Sequence, residues 1–593
     1  MATNILGIDL GTTAVKVYLY PIGYHASVPT NAYISMTNNS ASSNHETTET
    51  STCRSQLYYE QDITKILQAI DTALEEVIKQ SGKSSEAVLG LIKSIGICDQ
   101  MHGIVMWSST ERFESTSTTS PSTLPLTYSN LITWEDKRCS TDFLTTINQE
   151  ISNYISNNRN TDTTINNLTP LFSGFGISTL LWYLHYQPTI IQQYQYTGTI
   201  GTFLSCYLTN TLNKPVMDPT DSASWGCYNI KKQTWEIALL NKLNSNINQY
   251  LPRIVSSRTC IGLSNIFNVS LTPTLAKLKD IPVYGSIGDH PASMIMALSS
   301  IEKQSTKETP LPNTSSSTIA VITLGTSAQI ALASSLYNSS SISISDNENT
   351  IIALPAGCEL RPFVNLSNPS DKDNVSSSSV MLVGASMNGG NILSNTISLM
   401  ENRVKEEYIK QSNSTTETLS YNWNRNLVYE ILEKAAIQVS FDKIQHISII
   451  LPYTERTPVG WHTSNTSLSS LTNVTETDLS TSTASSTSSC CYTLDNLCAS
   501  TDYSSGEIYA IAAYNVIKNI IARLPLHFSQ LYHTTKILAV GGGFAKSLVL
   551  RTYLQLYIHQ LHHNTTNNIE IVFMNQDSEY AGAIGIGIYL QSM

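Results

Sequence analysis

The chain carries one short pattern twice. An apolar strand runs into a glycine followed by hydroxyl-bearing residues, first as Gly7-Ile8-Asp9-Leu10-Gly11-Thr12-Thr13 and again as Thr323-Leu324-Gly325-Thr326-Ser327. One copy falls in each half of the 593 residues. Either copy alone is explained by an ordinary hairpin with a glycine turn. The pair constrains more: a strand–turn unit repeated once per half, with no short-period repeat, predicts two similarly built lobes. The length agrees, since it exceeds what one compact unit normally holds. We place the lobes at residues 1–296 and 297–593.

Periodicity fills in the frame. Residues 5–20 alternate around Gly11-Thr12-Thr13 and predict a β-hairpin. Residues 62–80 put Ile63, Leu67, Ile70, Leu74 and Ile78 on one helical face, and 93–107 read as strand–turn–strand. Farther on, 281–288 and 319–333 read as strands and 507–524 as a buried amphipathic helix. Residues 536–540 form a strand ending in Gly541-Gly542-Gly543, and 581–590 a helix of small residues. The fold class is therefore α/β, with a mixed sheet covered by helices in each lobe and a cleft between the lobes. Helices 507–524 and 581–590 are both assigned to the second lobe.

Charge is scarce: 13% of residues are Asp, Glu, Lys or Arg, against the usual figure of about 25%. The dilution comes from Ser, Thr and Asn crowded near residues 30–55, 108–129, 304–318, 338–350, 367–379 and 463–489. Such stretches hold too few apolar residues to offset the entropy of ordering, so disordered surface insertions are expected. A net charge of −11 and a pI near 5.6 leave no basic footprint for nucleic acid. No apolar run approaches the roughly 18 residues of a membrane span, and mean hydropathy is −0.08. Met1-Ala2-Thr3-Asn4 offers no basic or apolar leader, so a cytoplasmic location is expected. The ten cysteines contain no CxxC pair, which favours reduced thiols over a disulfide framework or a zinc site. The oligomeric state has no signature in the sequence.

The turns point to phosphate. Glycine lets backbone N–H groups approach oxyanions, threonine hydroxyls add donors, and a carboxylate such as Asp9 can hold Mg²⁺ through its water shell. Two such turns on opposing lobes can clamp one triphosphate. The Gly-Lys-Ser/Thr pattern of a Walker loop is absent. Val540-Gly541-Gly542-Gly543-Phe544-Ala545-Lys546-Ser547 places a glycine turn between a strand and a helix. It suits a flat nucleoside or a phosphate, or is only a tight connection.

Together with Gly288-Asp289-His290, these three glycine turns resemble the nucleotide site of the sugar-kinase, actin and chaperone-ATPase superfamily. Within it they resemble the FGGY carbohydrate kinases, over Ile5 to Leu590. Gly96-Ile97-Cys98-Asp99-Gln100-Met101-His102-Gly103 is similar to that family's sugar-contacting turn, and Trp134-Glu135-Asp136-Lys137-Arg138 to its Trp-x-Asp-x-Arg segment. Gly198-Thr199-Ile200-Gly201, Asp221-Ser222-Ala223-Ser224-Trp225-Gly226 and Ser386-Met387-Asn388-Gly389-Gly390-Asn391 resemble the branch that phosphorylates sedoheptulose. Two positions depart from the family pattern. Cys98-Asp99 replaces small residues, and Thr202 stands where many relatives carry an acid.

The resemblance implies a two-lobed ribonuclease H-like fold of the actin, hexokinase and chaperone-ATPase type, with ATP, Mg²⁺ and a small-molecule sugar meeting in the cleft between the lobes. By the same resemblance Asp289 is the catalytic base, Asp9 organises Mg²⁺, and Gly11, Thr12 and Thr13 meet the transferring phosphate. Gly325 and Thr326 grip the other side, while Gly390, Gly543 and Ser547 line the nucleoside pocket. Met101, His102, Trp134, Asp136 and His290 contact the sugar. Blander roles stay open at this level: a buried, hydrogen-bonded His102, a structural ion pair of Asp136 with Arg138, and an N-cap role for Asp289 ahead of residues 291–298. Other sugars of the family, or a non-catalytic binding protein of the same fold, are the competing functional readings.

Overall fold

The computed structural model describes residues 3–34, 58–109, 126–162, 164–165, 168–256, 258–266, 270–305, 318–333, 358–363, 380–412, 423–451, 491–523, 534–562, 569–574 and 576–592. Of the Ser/Thr/Asn-rich stretches, 338–350, 367–379 and 463–489 lie wholly outside the described residues, and the other three largely so.

The first lobe is organised by a mixed sheet. Its strands are β1 (Ile5–Leu10), β2 (Ala14–Tyr20), β3 (Tyr24–Pro29), β4 (Ser94–Asp99), β5 (Cys260–Leu263), β6 (Pro282–Tyr284) and β7 (Ile287–Gly288). Their order is β5-β6-β4-β1-β2-β3, with β7 on the end of β4. The hairpin β1–β2 is antiparallel, as its alternation predicts, and continues antiparallel into β3, whereas β1–β4 and β4–β6 are parallel. Every residue of β1 and of β4 is buried. That is the pattern of strands covered on both faces.

The second lobe repeats the plan. Strands β8 (Thr318–Leu324), β9 (Ala328–Ala333), β10 (Cys358–Pro362), β11 (Val380–Ser386), β12 (Thr534–Val540) and β13 (Glu570–Phe573) lie in the order β10-β11-β9-β8-β12-β13. Again the first three long strands pair antiparallel, and two parallel strands follow on the other side of the first. Thus β8 corresponds to β1, and the turn at Gly325 to the turn at Gly11. This repeated arrangement is the ribonuclease H-like architecture. Helix Ser505–Ala522 packs within this lobe against Arg425–Ala436, Leu548–His562 and Gly390–Ser412, as expected.

The helix at the C-terminus corrects one expectation. Ala581–Gln591 packs chiefly on the first lobe, against β1, β4 and the helix Asp289–Ser305, rather than within the second. Glycines in the central strands make this possible. A Cβ at Gly7 would lie 2.1 Å from the Ala583 carbonyl oxygen, and one at Gly96 would lie 2.7 Å from Ile586. The two helices cross in opposite senses: Asp289–Ser305 leaves β7 to reach β8 and β12, while Ala581–Gln591 returns. Ile5, Ala292, Val321, Leu538 and Ile586 share one apolar cluster there, so the lobes are joined through a packed core.

Candidate active site

The ends of β1, β7, β8 and β12 all open onto one cleft. Asp9, Gly11, Thr12, Thr13, Met101, His102, Trp134, Asp289 and His290 line it from the first lobe, and Gly325 and Thr326 from the second. The paired turns therefore face each other across it.

Asp9 is buried near the end of β1. Desolvation raises its pKa, opposed by Lys16, whose Nζ lies 3.8 Å away, and by the Cys98 thiol. The Gly11 turn is held from two sides. Gln61 Nε2 donates to the Thr12 carbonyl at 2.7 Å, and Trp134 Nε1 donates to Thr12 Oγ1 at 2.9 Å. The Gly325 turn is held by the next helix, where Gly390 N–H donates to the Gly325 carbonyl at 2.9 Å and Asn391 N–H to that of Thr326 at 3.1 Å. Gly541, at φ +102°, adopts a conformation that side-chain-bearing residues rarely take, and a Cβ there would lie 2.6 Å from the Leu324 oxygen. The glycine turn thus presses against the end of β8, and Gly541 and Gly542 reach the cleft.

On the opposite side, Met101 and His102 take positive φ values of 40° and 64°. The strained turn is over-determined by its neighbours. His102 N–H donates to Ser224 Oγ at 3.1 Å, its Nδ1 donates to the Ser224 carbonyl at 2.6 Å, and its ring stacks on Phe175 at 4.7 Å. Asp289 opens its helix, and its Oδ1 accepts the His290 N–H at 2.7 Å. Burial, then repulsion from Asp9 and Asp99, lifts its pKa to about 7. His290 is buried and held neutral by burial and by Arg361, and neither of its ring nitrogens has a partner among the described residues. Thr323 Oγ1, Gln100 Oε1 and Ser578 Oγ are likewise unpartnered and line the same cleft. Buried polar atoms without partners cost free energy unless something satisfies them, so this is a surface built for a polar ligand.

Four of the residues singled out in the sequence stand behind that lining. Gly390 buttresses the Gly325 turn. Gly543 packs on the Leu324 side chain, where a Cβ would meet Cδ2 at 2.6 Å. Ser547 donates to Glu433 Oε1 at 2.6 Å. Asp136 is engaged with Arg138, at 2.8 Å from Oδ1 to Nε, and accepts the Tyr59 N–H at 3.0 Å. Arg361 and Gln329, from β10 and β9, line the cleft without having been read from the sequence. Arg361 pairs with Glu359, and its Nε has no partner among the described residues. A basic residue two positions from an acidic one in a short strand of a charge-poor chain was the available signal.

The comparisons with known proteins fit this site. Residues 4–295 match the profile described as the FGGY family of carbohydrate kinases, N-terminal domain. The chain is 23% identical to human sedoheptulokinase over 551 residues, covering 93% of this chain and 92% of that protein. Against mouse sedoheptulokinase it is 30% identical over 259 residues, 43% of this chain and 48% of the relative. Among solved structures, a xylulose kinase from Lactobacillus acidophilus superimposes with a TM-score of 0.54 at 17% identity, covering 99% of this chain and 89% of that one. A repeated lobe, facing glycine turns and a polar cleft thus coincide with sequence similarity to carbohydrate kinases along nearly the whole chain, and residues 4–295 match the N-terminal domain of the FGGY family.

Proposed function

We propose that the protein transfers the γ-phosphoryl group of ATP to the terminal hydroxyl of sedoheptulose, giving sedoheptulose 7-phosphate, with Asp289 as general base. One observation carries the reading: Asp289 and the unpartnered, neutral His290 share a cleft with two facing glycine-threonine turns. Similarity to sedoheptulokinase along most of the chain supports the choice of sugar.

The sugar lies against Met101, His102, Trp134 and His290, with its terminal hydroxyl at Asp289. Gly11, Thr12 and Thr13 meet the transferring phosphate, Gly325 and Thr326 grip the remaining phosphates, and the nucleoside lies along Gly541 to Gly543. Gly390 and Ser547 support these turns from behind, and Asp136 fixes the segment that carries Trp134. As the sugar oxygen bonds to phosphorus, its proton becomes acidic and passes to the Asp289 carboxylate while the bond to the ADP oxygen breaks. Closure of the lobes excludes water that would otherwise hydrolyse ATP.

Asp9 fits Mg²⁺. Its hard oxygens are buried at the Gly11 turn; burial raises the pKa of Asp9, and burial with repulsion from Asp9 raises that of Asp289, a cost that a cation there would relieve. When bound, the ion supplies charge neutralisation to the triphosphate. The cytoplasm is the compartment we assign, since the six described cysteines that can be assessed are all free thiols.

A side-by-side assay of ATP turnover with sedoheptulose, xylulose, ribulose, glycerol and gluconate tests the reading. A kcat/KM for sedoheptulose about tenfold or more above the others is expected, the discrimination a well-placed polar contact provides. Preference for another sugar overturns the substrate, and ATP consumption indifferent to every sugar overturns the kinase reading.

A further inference from the structure

Beneath the sugar side of the cleft, the short helix Pro219–Trp225 grips two segments at once. Ser224 holds His102 by its backbone N–H and its ring. Thr220 Oγ1 accepts the N–H of Gly288, the residue before Asp289, at 2.9 Å. Between them lies Asp221, whose Oδ2 accepts from Ser286 Oγ at 3.0 Å. Asp221 lies beside Asp99, the last residue of β4 and the entry to the Met101–His102 turn: Ser286 Oγ, which donates to Asp221, and Asp99 Oδ2 crowd the same face of Gly201, where a Cβ would lie 2.7 Å and 2.6 Å from them, and the two carboxyl groups influence each other's ionisation. Both are fully buried. Asp99 Oδ2 accepts the Gly201 N–H at 2.6 Å. Oδ1 of Asp99 and Oδ1 of Asp221 have no N–H or hydroxyl partner among the described residues.

Two buried carboxylates cannot adjoin while both are ionised, because each lacks a donor for the other. One proton between them satisfies both. We propose that Asp99 and Asp221 share a single proton, and that this acid pair is a positioning device that locks the Met101–His102 turn to the strand end bearing Asp289. The inference rests on the proposed function, in which that turn holds the sugar and Asp289 receives its proton.

The surroundings place the proton on Asp221. Asp99 accepts the Gly201 N–H at the start of the helix Ile200–Thr209, which favours its charged form. Burial raises the Asp221 pKa most, and the neighbouring acids Asp99 and Asp218 raise it further. The other titratable groups around the pair are Asp289 and the Cys98 thiol, and each feels the charge of Asp99. With the proton present, Asp99, Asp221, Ser286 and Gly201 form one connected set of hydrogen bonds. Without it, two like charges face each other at the base of the sugar site.

The pH dependence of folding tests the shared proton without reference to catalysis. A carboxyl held protonated in the folded state and ionised in the unfolded chain adds stability at low pH that is lost as pH rises toward its folded-state value. Over the range above the ordinary carboxylate pKa, the folding constant of the wild type is expected to fall by about tenfold more per pH unit than that of Asp221→Asn or Asp99→Asn. In each of these variants an amide N–H replaces the proton. Steady-state kinetics test positioning. Asp221→Ala is expected to raise the KM for sugar at least about tenfold, the loss of one charge-assisted bond, while the KM for ATP holds within twofold and the amide variants recover most of the loss. Wild-type pH slopes in both amide variants would overturn the shared proton. An unchanged sugar KM in Asp221→Ala, or amide variants as impaired as it, would overturn the positioning role. Should Asp221→Ala fail to fold, the sugar KM of the amide variants decides: near wild type and independent of pH sustains the proposal, and a wild-type pH dependence overturns it. A wild type that phosphorylates no sugar would remove the proposed function, whereas the folding slopes would still decide the shared proton.

Discussion

The indole Nε1 of Trp134 donates to Thr12 Oγ1 at 2.9 Å, joining one aromatic wall of the cleft to the Gly11 turn. The bond is buried and fixes the rotamer of a hydroxyl that faces the cleft. The proposed sugar and phosphate subsites are therefore one mechanical unit. Trp134→Phe keeps a ring and removes the donor. A loss of about 1 kcal/mol of stability is expected, seen as a lowered melting temperature, together with a drop in kcat/KM as the Thr12 hydroxyl loses its fixed rotamer. Steady-state kinetics with a parallel thermal melt check both halves of that statement.

The crossing helices set the second expectation. A Cβ at Gly585 would lie 1.8 Å from the backbone oxygen of Ala292, and neither helix can give way without disturbing the core between the lobes. Gly585→Ala should destabilise by about 3 kcal/mol, read as a lowered urea midpoint. Activity per folded molecule should fall as well, because Ala292 lies three residues from Asp289 on the same helix.

A third expectation concerns Arg138. Its guanidinium donates to Asp136, to Glu60 at 2.7 Å and to the Tyr183 hydroxyl at 2.7 Å, in a site nearly closed to water. Arg138→Met leaves two carboxylates without their cation and should cost about 3–5 kcal/mol. Adding Asp136→Leu removes one of those orphaned charges, so the double variant should recover part of the loss. Denaturation of the single and double variants measures this.

Activity should follow the ionisation of Asp289. Its carboxyl must be charged to accept a proton, and burial with repulsion from Asp9 and Asp99 holds it at about 7. The kcat/KM for sugar should therefore rise with pH through about 7 and level off above it. A profile already flat from pH 5 upward would remove Asp289 from the role.

Much of this site was legible because phosphate chemistry restricts what a turn can be. Glycine and threonine after an apolar strand make an ordinary hairpin turn when alone, but their repetition once per half pointed to a shared site, and Asp9, Thr12, Gly325 and Thr326 all reach the cleft. The return helix was harder. Ala581–Gln591 is apolar on nearly every side, so it carries no polar face to say which sheet it covers. The signal lay elsewhere, in Gly7 and Gly96, since a glycine inside a central strand marks a close backbone approach. Asp136 carried two readings that spacing cannot separate, and its partners at Arg138 and Tyr59 engage it outside the cleft lining. Arg361 lay in a strand of five residues with no motif around it, and only the pairing of β10 with β11 brings it to the cleft.

The most direct test replaces Asp289 with Asn, which keeps the side chain's shape and removes its capacity to accept a proton. Sugar-dependent ADP release should fall by about 10³-fold, within the range that positioned acid–base groups contribute, while sugar binding measured by calorimetry stays within a few-fold of wild type. Turnover within tenfold of the wild type would contradict the assignment of Asp289 as the base.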